Sequence, residues 1–192
     1  MKTFLAILVL IISFQSVSKA DDIRDFQIEG MSIGDSLLDY VNKDFINDNK
    51  SYLYKNKEYY TILLEQDYEV YDAVQITVED NDKNHIIKSL TGKTFYRNNN
   101  ISECYKLLEN IDLEISQTLK KIILKKKKTK IIPHSADETG ESTTKGISYF
   151  LDNKDTIYVY CTDWSEKMGY WDNLKVQIKT KAYNDWLSNK AY

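Results

Sequence analysis

Cys104 and Cys161 are the two thiols of this 192-residue chain, and they are the residues most capable of covalent chemistry. A reactive cysteine needs a group that stabilises its thiolate, and a redox pair is commonly spaced Cys-x-x-Cys. Neither pattern occurs. The two histidines, His85 and His134, lie away from both thiols in sequence. The expected chemistry is therefore a structural disulfide between Cys104 and Cys161. Closing so long a loop contributes about 4 kcal/mol on the chain-entropy account.

Other motifs fare less well. Asp80-Asn81-Asp82-Lys83-Asn84 opens with calcium-loop spacing, but His85 stands where Gly is needed and Thr91 where the bidentate Glu is needed. A hairpin turn is the better reading. No Gly-rich phosphate loop and no Gly-x-Ser-x-Gly is present. The histidines have no grouped partners for zinc or a triad, so no metal and no cofactor is expected. Carboxylates are plentiful: Glu65, Asp67, Glu69, Asp72, Asp152, Asp155 and Asp163 fall mostly at expected turns and strand ends. A glycosidase-like pair among them is the alternative to solvation.

Two surfaces are candidates for binding. The first is Lys120, Lys121, Lys125, Lys126, Lys127, Lys128 and Lys130, which reads either as a patch for an anionic surface or as a solvated helix end. The second is aromatic. Most of the 15 tyrosines and three tryptophans are expected in the core, with Tyr158, Tyr160, Trp164, Tyr170 and Trp171 as a candidate aromatic surface.

These residues must be positioned by regular elements. From Asn100 to Leu124, Cys104, Leu107, Leu108, Ile111, Ile115, Leu119, Ile122 and Ile123 recur at three- and four-residue steps, predicting a long amphipathic helix. Asn100 and Glu103 form a candidate capping box at its start. A shorter helix is expected around Leu37, Leu38 and Val41, opened by Ser32 and Asp35, with a further helical turn over Asn42 to Ile46. Strands are expected at 58–65, 70–79, 85–91, 146–152, 156–163 and 174–181. The stretch 133–145 reads as a mobile loop and 182–189 as a terminal helix. The result is an α+β fold of order α-β-β-β-α-β-β-β: about six antiparallel strands, with a long and a shorter helix on one face.

Met1 to Ala20 reads as a signal peptide. Lys2 precedes an apolar run from Phe4 to Phe14 that is too short to span a bilayer, and Ser18 and Ala20 are small enough for cleavage after Ala20. Residues 21–192 then fit one domain, with pseudo-repeat halves at 26–97 and 98–192. The whole chain carries a formal charge of −3, and losing Lys2 and Lys19 makes it more acidic. That argues against nucleic acid as a partner. The expected location is periplasmic or secreted, with no transmembrane segment after cleavage.

Gly30-Met31-Ser32 followed by Ile33 to Leu38 resembles the helix-opening motif of the BamE/SmpA-like exported proteins. The stretch Phe26 to Tyr40 also resembles a group of small exported bacterial proteins with no assigned activity. The first resemblance implies a small α+β module with short helices before a three-stranded antiparallel sheet; its tandem form is similar to the β-lactamase-inhibitor-protein fold. The function expected from these readings is a non-catalytic envelope accessory or binding protein, with an envelope protein or an anionic surface as partner. The alternative is a secreted hydrolase using paired carboxylates near the aromatic C-terminal sheet.

Overall fold

The computed structural model describes residues 23–97 and 100–192; the expected signal segment, 1–20, lies outside them. The described residues form seven strands: β1 (Tyr59–Leu64), β2 (Ala73–Glu79), β3 (Ile87–Tyr96), β4 (Ile123–Pro133), β5 (Thr143–Leu151), β6 (Thr156–Asp163) and β7 (Asp172–Lys179). Three α-helices accompany them: α1 (Lys43–Asn49), α2 (Ile101–Thr118) and α3 (Lys181–Asn189). The class is α+β. All strands pair antiparallel in one sheet of order β1-β2-β3-β7-β6-β5-β4. The two expected halves meet along β3 and β7.

Strict alternation explains why one face is dry. Ile157, Val159 and Cys161 on β6, with Leu174, Val176 and Ile178 on β7, are at most 1% exposed. They pack with Cys104, Leu108 and Ile115 of α2 in one continuous core. Burying each large aliphatic side chain contributes about 1.5–3 kcal/mol. The Cys104–Cys161 disulfide joins α2 to β6, with the Cα atoms 6.0 Å apart. Ile46 of α1 and the segment from Ile23 to Leu37 cover the same face. On the other face, α3 seats Tyr183 and Trp186 against Tyr59.

Three expectations need correction. The long helix stops at Thr118, not Leu124, and the chain re-enters the sheet as β4, a seventh strand. Leu119 and Ile122 continue the apolar spacing, but they do so through a tight turn in which Ile122 N–H donates to the Leu119 carbonyl. Beyond it, the β-branched Ile123, Thr129, Ile131 and Ile132 favour strand. The loop expected over 133–145 is shorter: β4 runs to Pro133, β5 starts at Thr143, and Asp137 accepts from Ser142 N–H within the turn between. At the N-terminal side, the helix expected near Leu37 is a single 3-10 turn, Leu37–Asp39, capped by Ser36, and the regular helix is α1. Ser32 N–H does donate to Asp35, at 2.8 Å, but within a turn. The Glu103 carboxylate likewise accepts from the Asn100 side-chain amide, at 2.7 Å, while Glu103 N–H donates to the Asn100 carbonyl.

Candidate functional site

The face of the sheet opposite α2 carries the residues that alternate with the core. In register across β6, β7 and β3, Tyr160 faces Lys175, which faces Lys93; one row along, Tyr158 faces Gln177, which faces Thr91. Thr156, Lys179 and Ser89 form the row after that. Lys179 Nζ lies 4.6 Å from the Tyr158 ring centroid and Lys175 Nζ 5.5 Å from that of Tyr160, both within cation–π range. Lys93 Nζ donates to Gln75 Oε1 at 2.6 Å. Among the described residues, no ion pair takes Lys93, Lys175 or Lys179.

Burial dominates the electrostatics of these three lysines. Desolvation and then the neighbouring Lys93 ammonium push Lys175 down to about 8, and desolvation alone brings Lys179 down to about 8. Lys93 is lowered by burial too, against a small opposing pull from Glu65. Like charges set directly across a sheet destabilise it, so the floor holds cationic charge that the fold itself does not neutralise.

Beside the Tyr160 row lies a row of uncharged polar groups. Thr144 on β5 pairs with Thr162 on β6, which pairs with Asn173 on β7. Thr162 is 0% exposed and Asn173 4%. Among the described residues, the two threonine hydroxyls and Asn173 Oδ1 are buried with no hydrogen-bond partner, while Asn173 Nδ2 donates to the Trp171 carbonyl at 3.0 Å. Three unsatisfied oxygens side by side on three strands is unusual for a protein interior.

The rim beyond that row is aromatic. His134 and Trp164 have ring centroids 4.4 Å apart, and Trp164 and Tyr170 5.0 Å. Two buried carboxylates fix this rim. Asp137 accepts from Ser142 N and Oγ, from Thr139 N and Oγ1, and from Ser165 Oγ; the bonds from Ser142 and Thr139 hold it well below the usual carboxylate range. Asp172 accepts from Trp164 N–H at 2.8 Å. His134 reaches back toward the floor: burial lowers its pKa, and the Lys175 charge lowers it further.

Of the five expected aromatic residues, Tyr158 and Tyr160 stand on this face, and Trp164 and Tyr170 pack together at its rim. Trp171 packs against Phe95, the β3 neighbour of Asn173, under the Arg97 guanidinium, and lines a cleft of about 1080 Å³ between α2 and residues 65–72. Several of the carboxylates considered above line that cleft. Asp72 there accepts from Phe95 N–H at 2.7 Å, and burial raises Glu114. Asp152 instead accepts from Asn153 N–H in a turn, and Asp155 accepts from Lys181 N–H at the start of α3. His85 forms a 2.8 Å hydrogen bond between Nδ1 and Tyr60 Oη.

The lysine run divides between the two faces of an edge strand. Lys126 and Lys128 reach α2, where both pair with the buried Asp112; Lys128 also pairs with Glu109, as does Lys145. Burial would raise Asp112, but hydrogen bonds from Lys126, Lys128 and Tyr149 prevail and hold it at about 2. By alternation along β4, Lys125 and Lys127, paired with Phe150 and Ser148, belong to the opposite face. Lys120 and Lys121 are exposed in the turn after α2, and Lys130 is exposed on β4. Lysines along an edge strand also oppose pairing with another chain.

The sequence reading passed over Lys93, Lys175, Lys179, Thr144, Thr162 and Asn173. Part of the signal was available: in Asn173-Leu174-Lys175-Val176-Gln177-Ile178-Lys179, strict alternation places every polar residue on one face. No family model matches the chain, and neither a curated protein nor a solved structure matches it.

Proposed function

We propose that this protein is an exported, non-catalytic binding module that takes an acidic ligand on the sheet face opposite α2. The observation that carries the reading is the Lys93–Lys175 pair: two half-buried ammonium groups in register, with Lys179 along the same strand as Lys175 and, among the described residues, no carboxylate ion-paired to any of them. An acid placed there supplies the missing counter-charge in a partly desolvated site, where charge-assisted hydrogen bonds are strongest. Tyr158 and Tyr160 supply flat apolar surface beside it. Export is supported by the signal-like segment at 1–20 and by the Cys104–Cys161 bridge, which persists in oxidising compartments. Among the described residues no helix is long and apolar enough to cross a membrane.

The test is calorimetric titration with dextran sulfate and with uncharged dextran. The expected result is binding of dextran sulfate only, weakened at least tenfold in Lys175→Gln/Lys179→Gln and little changed in Lys120→Gln/Lys121→Gln. The reading fails if plain dextran binds as well, or if the Lys120/Lys121 variant is the one that loses affinity.

A further inference from the structure

We infer that the ligand of this face is an acidic saccharide, an extended chain of sugar rings bearing carboxylates. Its acid group meets Lys93 and Lys175, and its hydroxyls meet the Thr144–Thr162–Asn173 row. The inference rests on the reading that the face takes an acid, and it adds the ligand's chemical class.

The donor and acceptor inventory separates this class from other anions. Lysine ammonium groups only donate, and threonine hydroxyls both donate and accept. A phosphate or sulfate, being an acceptor, satisfies those groups and stops there. Asn173 Oδ1 is different: it is an acceptor only, with no partner among the described residues, and a hydroxyl can donate to it where a fully ionised phosphate or sulfate cannot. A ligand that carries acids and hydroxyls together meets the lysines and Asn173 at once. Leaving such a buried oxygen unpaired is costly, and a ligand hydroxyl recovers that cost.

Shape points the same way. Tyr158 and Tyr160 stand about 7 Å apart by strand rise on one face of β6, and Trp164 follows just past the strand's end at Asp163. Such a row matches the apolar C–H faces of successive rings in an extended chain. Lys179 and Lys175 run beside it on β7, about 13 Å apart by strand rise, which suits acids repeated along a polymer. Thr162 and Asn173 are buried in the free protein, so a ligand hydroxyl reaches them only where the neighbouring aromatic rim opens.

The experiment titrates the disulfide-bonded protein with hexagalacturonate, maltohexaose and polyphosphate of similar charge. The expected order is hexagalacturonate tighter than polyphosphate by at least tenfold, with no binding of maltohexaose. Thr162→Val, which keeps the shape and removes the hydroxyl, and Asn173→Ala each weaken hexagalacturonate at least tenfold. Polyphosphate affinity stays within about threefold in Asn173→Ala. If polyphosphate binds as tightly as hexagalacturonate and both variants leave hexagalacturonate unchanged, the saccharide assignment is overturned while the acid-binding reading stands. If maltohexaose matches hexagalacturonate, or neither acid binds, the acid-binding reading falls and this inference falls with it.

Discussion

Lys93 and Lys175 stand directly across from each other on β3 and β7, two cationic side chains on one half-buried surface without a paired acid. A protein selected for stability alone has little reason to keep that arrangement, because like charges opposite one another destabilise a sheet. Lys175→Met is therefore expected to raise the unfolding free energy by about 1 kcal/mol while abolishing dextran sulfate binding. Urea unfolding monitored by circular dichroism reads the first effect. A variant less stable than wild type contradicts this account of the pair.

The same lysines give stability a distinctive alkaline profile. In the unfolded chain a lysine titrates near 10.4, whereas Lys175 and Lys179 titrate at about 8 in the fold. Between those values the unfolded state binds more protons, so stability rises with pH from about 8 to 10. The trend then reverses: burial raises Tyr160 to about 12, so unfolded phenols ionise first. Acid-ligand affinity falls over the range in which stability climbs, as the ammonium groups lose their charge. Denaturant midpoints and calorimetric titrations at pH 7, 8, 9 and 10 check both arms.

At the acidic end Asp112 is one of the lowered carboxylates, with Asp137 and Glu109. Its carboxylate, held at about 2, is stabilising above the unfolded value near 3.9 and loses that contribution as pH falls through 2. The difference corresponds to about 2 kcal/mol at neutral pH. Asp112→Asn is expected to lose that amount at pH 7 and to show a shallower decline than wild type between pH 4 and pH 2. Identical acid profiles for the two proteins contradict this.

Removing the bridge tests the joint between helix and sheet. Cys104→Ser/Cys161→Ser is expected to lower the unfolding free energy by about 4 kcal/mol, since the cross-link closes a loop of sequence separation 57. Thermal melting with and without reductant gives the same comparison. A melting temperature indifferent to reduction contradicts it.

The sequence carried much of this fold in its periodicities. The stripe from Cys104 to Ile115 defines α2, and the alternation in 156–163 coincides with β6 residue for residue. It misled where one pattern served two geometries. Leu119 and Ile122 keep helical spacing while the chain is already turning, so β4 was hidden behind them. The aromatic members of the candidate site were legible because large rings at alternate positions stand out. The lysines were not, because Lys175 and Lys179 look like any solvated lysine until β3 is placed beside β7 and Lys93 is found directly across from Lys175. Nor does local sequence reveal the Thr144–Thr162–Asn173 row, whose members come from three strands.

The central claim is that an acid docks on the Lys93–Lys175 pair. Backbone amide chemical-shift mapping by 15N–1H NMR during titration with short dextran sulfate tests it directly. The account predicts shifts concentrated at Lys93, Tyr158, Tyr160, Asn173, Lys175 and Lys179. Shifts confined to Lys125–Lys128, or to the cleft beside α2, would contradict it.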